Sequence, residues 1–215
     1  MTNEILIFST VRQAKAILTS FSENFVFPTN DFKKEELIKY TVQSSVYRAL
    51  PSKPFKPSYV YREWFRNRFD NYINDMQNIQ SQSGYTDFVF HYTNSLINYW
   101  DNKYQKSILK IGYGPASKII NLIGKMVNES MYFDTKNIEH LLHVPFDVFS
   151  LKPLTSIINE LTNVRYKITI PRSPSMKYIL NKEHYVTVQT AVFNLCEIAG
   201  IKPIVYDYWC WNRTH

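Results

Sequence analysis

A chain of 215 residues is long enough to bury a core of its own, as one large domain or two small ones. Its 45% hydrophobic and 20% charged residues exclude a disordered chain, and five glycines suit a helical protein with few β-turns. The net charge of +7 is spread along the chain rather than massed in a tail. Such a balance favours a polyanionic partner, against the bland alternative of a basic surface that engages nothing.

Residues 1–30 mix short apolar pieces with Ser-Phe-Ser-Glu-Asn and Pro-Thr-Asn, which predicts a helix or short strand and then a loop. The apolar run at 5–8 is too short for a signal peptide, and no apolar stretch of 18 residues occurs. A soluble, cytoplasmic protein with no membrane partner is expected. Asn30 or Asp31 is placed to cap a helix to about Leu50, with Glu35 and Glu36 near its positive end. The run 51–57, Pro-Ser-Lys-Pro-Phe-Lys-Pro, breaks that helix and reads as a linker. It divides an N-terminal helical region, 1–50, from a core over 58–215, unless the two form one continuous domain. A helix over 59–81 then carries Arg62, Arg66 and Arg68 among Tyr61, Trp64, Phe65, Phe69 and Tyr72. Cations interleaved with rings can track phosphates and stack on bases. An ordinary amphipathic helix, rings in the core and arginines in solvent, offers the same mixture.

A helix over 85–110 follows Gly84, with Ile97, Trp100, Tyr104, Ile108 and Ile111 at helical spacing. Gly112-Tyr113-Gly114 is expected to stop it in a tight turn, and Pro115 suits a first helical residue, where the missing N–H costs nothing. The next helix has Ile119, Leu122, Ile123 and Met126 on an apolar face and Lys118, Asn121 and Lys125 on a polar stripe. Downstream lies His143-Val144-Pro145-Phe146-Asp147-Val148-Phe149. A helix is expected over 151–163, and Val164–Ile170 alternates like a strand. Asn181 caps a helix to Ala199, with Gly200 as its stop. The aromatic tail over 204–211 is expected to be extended. The chain therefore reads as mostly α, with one or two short strands.

The Gly-x-Gly turn, the helix carrying Lys118 and the Val-Pro-Phe-Asp-Val run, in that order, resemble the helix-hairpin-helix DNA glycosylases. The Val-Pro-x-Asp-Val run resembles their 8-oxoguanine branch in particular. The resemblance implies a helix-hairpin-helix glycosylase-like helical fold, and double-stranded DNA with a modified base as partner. It makes Lys118 the Schiff-base nucleophile and Asp147 the essential carboxylate. Gly112, Tyr113, Gly114 and Ser117 become the phosphate-binding segment, since backbone N–H groups at a helix start suit a DNA phosphate. Lys118 and Asp147 are farther apart in sequence than is usual in that family, which implies a longer helix or an inserted loop around 129–136. Two cysteines, Cys196 and Cys210, cannot ligate a four-cysteine iron–sulfur cluster, which excludes the cluster-bearing glycosylases and fits a reducing cytosol.

The chemistry asks for these residue types. A lysine amine attacks a sugar C1′ only when neutral, and partial burial near the positive end of a helix favours that form. The imine that follows permits β-elimination of the 3′ phosphate. A carboxylate assists deprotonation and stabilises positive charge developing on the sugar. The plain alternatives are an exposed lysine for Lys118 and a helix cap for Asp147, and the aspartate can serve both ends. Gln189 and Phe193 form a Gln-x-x-x-Phe similar to the base-reading helix of the same family, and with His143 they make the expected base pocket. Phe193 in the core with Gln189 at its margin is the competing picture. The histidines at 91, 140, 143, 184 and 215 show no metal-ligand spacing, so no metal, no cofactor and no obligate protein partner are expected. The expected function is excision of a damaged or modified base, in repair or in defence against phage DNA carrying hypermodified cytosine. A non-catalytic helix-hairpin-helix DNA-binding module is the alternative.

Overall fold

The chain was analysed as a computed structural model that describes residues 5–48, 50, 52, 54–104, 111–162, 164, 165 and 167–213. The described residues are mostly helical and contain no β-strand; a single parallel bridge joins Asn30 to Ser130. No single helix among them is long and apolar enough to cross a membrane. The chain forms two compact units, one from Phe27–Glu139 and one from Met1–Val26 with His140–His215. This division differs from the expected 1–50 and 58–215. The 51–57 run lies inside one unit, because the helices before and after it pack on each other.

The central unit holds α2 (Lys34–Tyr40), α3 (Ser44–Tyr47), α4 (Pro57–Arg66), α5 (Phe69–Gln77), α6 (Gln82–Lys103) and α7 (Tyr113–Glu129). Two expected long helices are broken. The helix expected to run to Leu50 stops at Tyr40, and Asn30 does not cap it: its carbonyl oxygen accepts from Phe32 N–H and its amide donates to the Met126 carbonyl. The helix expected over 59–81 bends at Asn67 and Arg68, where Arg68 leaves helical geometry. Ser81 caps α6 by accepting from Gly84 N–H, so α6 starts slightly earlier than expected; residues 105–110 of the expected helix lie outside the described residues.

The core of this unit is aromatic. Tyr72 meets Phe65, Phe88 and Tyr92 edge-on at centroid distances of 4.7–5.5 Å, arrangements that ring quadrupoles favour. The Tyr72 hydroxyl donates to the Ile120 carbonyl of α7 at 3.0 Å. Helices α6 and α7 make the most extensive pairing in the chain. Gly124 permits it, since a Cβ there would sit 2.6 Å from the hydroxyl of fully buried Tyr85. Gly124→Ala should therefore lower the thermal midpoint. The overpacking costs about 1–3 kcal/mol, more than the roughly 0.5–1 kcal/mol that alanine returns in helix propensity. An unchanged or raised melting temperature would show that α6 and α7 are not held this closely.

The second unit is built from α1 (Val11–Glu23), α8 (Val148–Leu151), α9 (Lys182–Ala199) and α10 (Pro203–Asn212). Helix α1 lies on α9, and Thr19 Oγ1 donates to the Ala199 carbonyl at 2.9 Å. Phe8 stacks on Trp209 of α10 with centroids 4.9 Å apart. The expected caps of α9 are present: Asn181 accepts from His184 N–H, and Gly200 takes φ 70°, a left-handed conformation that glycine adopts without a Cβ penalty.

Three expectations fail in this unit. The expected helix over 151–163 is only α8 followed by short 3-10 turns at Lys152–Leu154 and Ile158–Glu160. The expected strand over 164–170 has no partner strand, and Tyr166 lies outside the described residues. Asn159 takes the place of a partner, its amide donating to the Ile168 carbonyl and its oxygen accepting from Ile168 N–H. The tail expected to be extended is α10, started by Pro203 at its first position and buried on most of its surface.

Candidate functional site

The segment His143–Val144–Pro145–Phe146–Asp147 has no regular structure, so its backbone polar groups need partners from outside it. Helix α9 supplies them. Tyr185, Gln189 and Phe193 fall at i, i+4 and i+8 and share one face of that helix. Gln189 is 2% exposed, its Oε1 accepts from Val144 N–H at 3.2 Å and its Nε2 donates to the Val144 carbonyl at 2.8 Å. The amide expected to read a base edge is instead spent on both backbone polar groups of Val144, in the loop that leads to Asp147.

His143 Nδ1 and the Tyr185 hydroxyl lie 2.7 Å apart, and the edge of the same imidazole meets Phe193 at a centroid distance of 5.5 Å. Complete burial pushes the His143 pKa down to about 3, so the ring is neutral at physiological pH and cannot act there as a cationic acid. Phe193 is half-buried. The structure thus brings His143, Gln189 and Phe193 into one packed cluster. Tyr185, which holds His143, was missed; its position four residues before Gln189 on the same face was the available signal.

Asp147 ends the loop as the N-cap of α8. One carboxylate oxygen accepts from Phe149 N–H at 2.8 Å and from Ser150 N–H at 3.2 Å, and Ser150 Oγ accepts from Asp147 N–H, completing a capping box. Tyr206 of α10 fixes the next turn, donating to the Ser150 carbonyl at 2.6 Å. The cap role that competed with a functional role is therefore filled, and the carboxylate is held in one orientation.

The scaffolding predicts its own consequence. Gln189→Ala would leave the Val144 N–H and carbonyl buried without partners, a destabilisation of about 1–3 kcal/mol for each group. The expected result is a lower melting temperature, read by thermal unfolding. An unchanged melting temperature would show that Gln189 is not needed to hold this loop.

In the central unit, Gly112-Tyr113-Gly114 is not a turn. Gly112 is the N-cap of α7 with φ −72° and ψ 162°, an extended backbone open to any residue, and Gly114 is already the second helical residue. Proline in the first turn lacks an N–H that the helix does not use, so Pro115 fits at the third position without ending the helix. Gly114 and Ser117 are buried, and the Ser117 hydroxyl donates to the Gly114 carbonyl at 3.1 Å. Of the four residues expected to meet a phosphate, Gly112 is exposed and Tyr113 half-buried.

Lys118 sits in the second turn of α7 rather than the first and is 6% exposed. Asn121 and Asn128 are buried on the same stripe, and Lys125 is half-buried. The polar stripe is therefore largely internal. Lysine is almost never buried to this degree unless its head group is engaged, so the bland alternative of an exposed lysine is overturned. Beyond α7 the chain turns through 131–133 into a 3-10 helix at Lys136–Leu141.

The arginines of α4 and its end are also engaged within the chain. Arg66 pairs with Glu35 at 2.9 Å, Arg62 donates to the Lys39 carbonyl at 3.1 Å, and Arg68 Nε donates to Ser95 Oγ at 2.8 Å. The neighbouring rings Tyr61, Trp64, Phe65, Phe69 and Tyr72 are buried, as in an ordinary amphipathic helix, and offer no stacking face to bases. Among the described residues no three His, Cys, Asp or Glu side chains are grouped to hold a metal ion. Cys196 and Cys210 are both buried, and burial pushes both thiols up, away from reactivity. No protein-family model, curated protein or solved structure matches the chain.

Proposed function

We propose that this chain is a DNA glycosylase with lyase activity, which excises a damaged or modified base from double-stranded DNA. The observation that carries the reading is the burial of Lys118 at 6% exposure in α7, behind a Gly-x-Gly start and ahead of Val-Pro-Phe-Asp-Val. A lysine kept from bulk water is costly as mere surface chemistry and useful as a nucleophile. In this reading the Lys118 amine bonds to C1′ as the glycosidic bond breaks, and the base leaves with the bonding pair and a proton. Ring opening gives an imine, and loss of a C2′ proton then expels the 3′ phosphate. Asp147, oriented by its capping box, stabilises positive charge on the sugar and takes part in the proton transfers.

Repair and defence against phage DNA remain the two settings, and they differ in substrate. Mass spectrometry of bases released by the purified protein from a panel of cellular and phage DNAs distinguishes them. Release of an oxidised purine assigns repair, and release of a hypermodified cytosine assigns defence. No released base from any DNA would leave the non-catalytic DNA-binding module as the surviving reading.

A further inference from the structure

One exposed face of α6 carries residues that a helix does not select for its own sake. Asn94, Asn98 and Asn102 recur at four-residue spacing on the solvent side, with exposed His91 one turn earlier. Asparagine is a weak helix former, and an exposed position serves the helix better with alanine, glutamate or lysine. This face lines a groove of about 400 Å³ whose floor is Arg68, Ser95 and Tyr99. No aspartate or glutamate is among its lining residues.

Arg68 is held ready rather than neutralised. Its Nε donates to Ser95 Oγ, which also accepts from Trp64 Nε1 at 3.2 Å. Its guanidinium lies 5.9 Å from the Trp64 ring centre and 5.7 Å from that of Tyr99. Nearby charges are satisfied elsewhere: Glu63 pairs with Lys103, Asp75 accepts from the Tyr92 hydroxyl, and Arg66 pairs with Glu35. Among the described residues no acid or carbonyl is bonded to the two terminal nitrogens of Arg68. A planar guanidinium with both terminal nitrogens available takes an oxyanion bidentately. The flanking amides repeat about every 6 Å along the helix, so a ligand that continues along α6 meets one at each turn.

We propose that this groove binds the sugar–phosphate backbone of a nucleic-acid strand, with Arg68 on a phosphate and Asn94 and Asn98 on neighbouring phosphate or sugar oxygens. The proposal rests on the DNA partner of the proposed function, but not on its catalytic residues. Its test is fluorescence anisotropy of a labelled 20-base-pair duplex over a salt series, with the full chain, Arg68→Gln and Asn98→Asp. Thermal melts accompany each variant, since Arg68 also packs on Trp64. Losing one phosphate contact should reduce the slope of log affinity against log salt by about 0.9 in Arg68→Gln. Asn98 is exposed on the groove, and the charge added by Asn98→Asp should weaken binding roughly tenfold. Unchanged slope and affinity in both variants, beside a wild type that binds with steep salt dependence, would overturn the groove alone. A wild type with no salt-dependent DNA binding would overturn the DNA partner as well. A mononucleotide that competes as well as the duplex would overturn the strand assignment and give the groove to a small phosphate ligand.

Discussion

Lys118→Gln is expected to abolish base release while leaving the fold and the affinity for DNA in place. Glutamine is close to lysine in length and carries a polar head, so the buried site in α7 keeps most of its packing and a hydrogen-bonding group. What it lacks is an amine that can bond to C1′. Removing a covalent nucleophile should cost roughly a thousandfold or more in excision rate, with residual turnover limited to what binding and the remaining groups supply. The measurement is single-turnover release from a substrate identified in the panel, with melting temperature and duplex affinity taken alongside. Undiminished release in the variant would remove Lys118 as nucleophile and turn attention to half-buried Lys125 on the same stripe.

Asp147→Asn should separate the two duties of that side chain. Asparagine caps helices about as well as aspartate, so its carbonyl oxygen can still accept from the Phe149 and Ser150 N–H groups and the capping box survives. The negative charge is lost, and with it the stabilisation of a positively charged sugar. Excision should fall by about 10²-fold or more at nearly unchanged stability. Asp147→Ala should lose the same activity and also about 0.5–2 kcal/mol of stability as the cap disappears. If Asp147→Asn retained full activity while only Asp147→Ala was impaired, the aspartate would be a cap and nothing else.

What was legible in the sequence was what depends on neighbours within a turn. Asn181 and Gly200 bracket α9 because a cap side chain and a left-handed stop act locally. Asp147 before Val148 offered a cap beside its expected catalytic role for the same reason. Several misreadings involve partners beyond the neighbouring turn. Gln189 looked available because Val144 lies 45 residues away. The 164–170 run alternates like a strand, yet a strand needs a partner, and Asn159 satisfies Ile168 instead. The aromatic tail became α10 because burying Tyr206 and Trp209 beside Phe8 outweighs the weak helix preference of bulky rings. The glycine pair before Pro115 was read as a turn because glycine permits one, and α7 simply begins through it.

The central claim is that a lysine of this chain attacks the sugar, and borohydride reduction tests it most directly. Wild-type protein, incubated with duplex DNA containing one abasic site and treated with borohydride, should yield a stable covalent protein–DNA adduct, since only an imine is reduced to a permanent bond. Peptide mapping should place the adduct on Lys118, and Lys118→Gln should yield none. A wild type that binds the abasic duplex tightly yet forms no adduct would contradict the account and leave a DNA-binding protein without lyase chemistry.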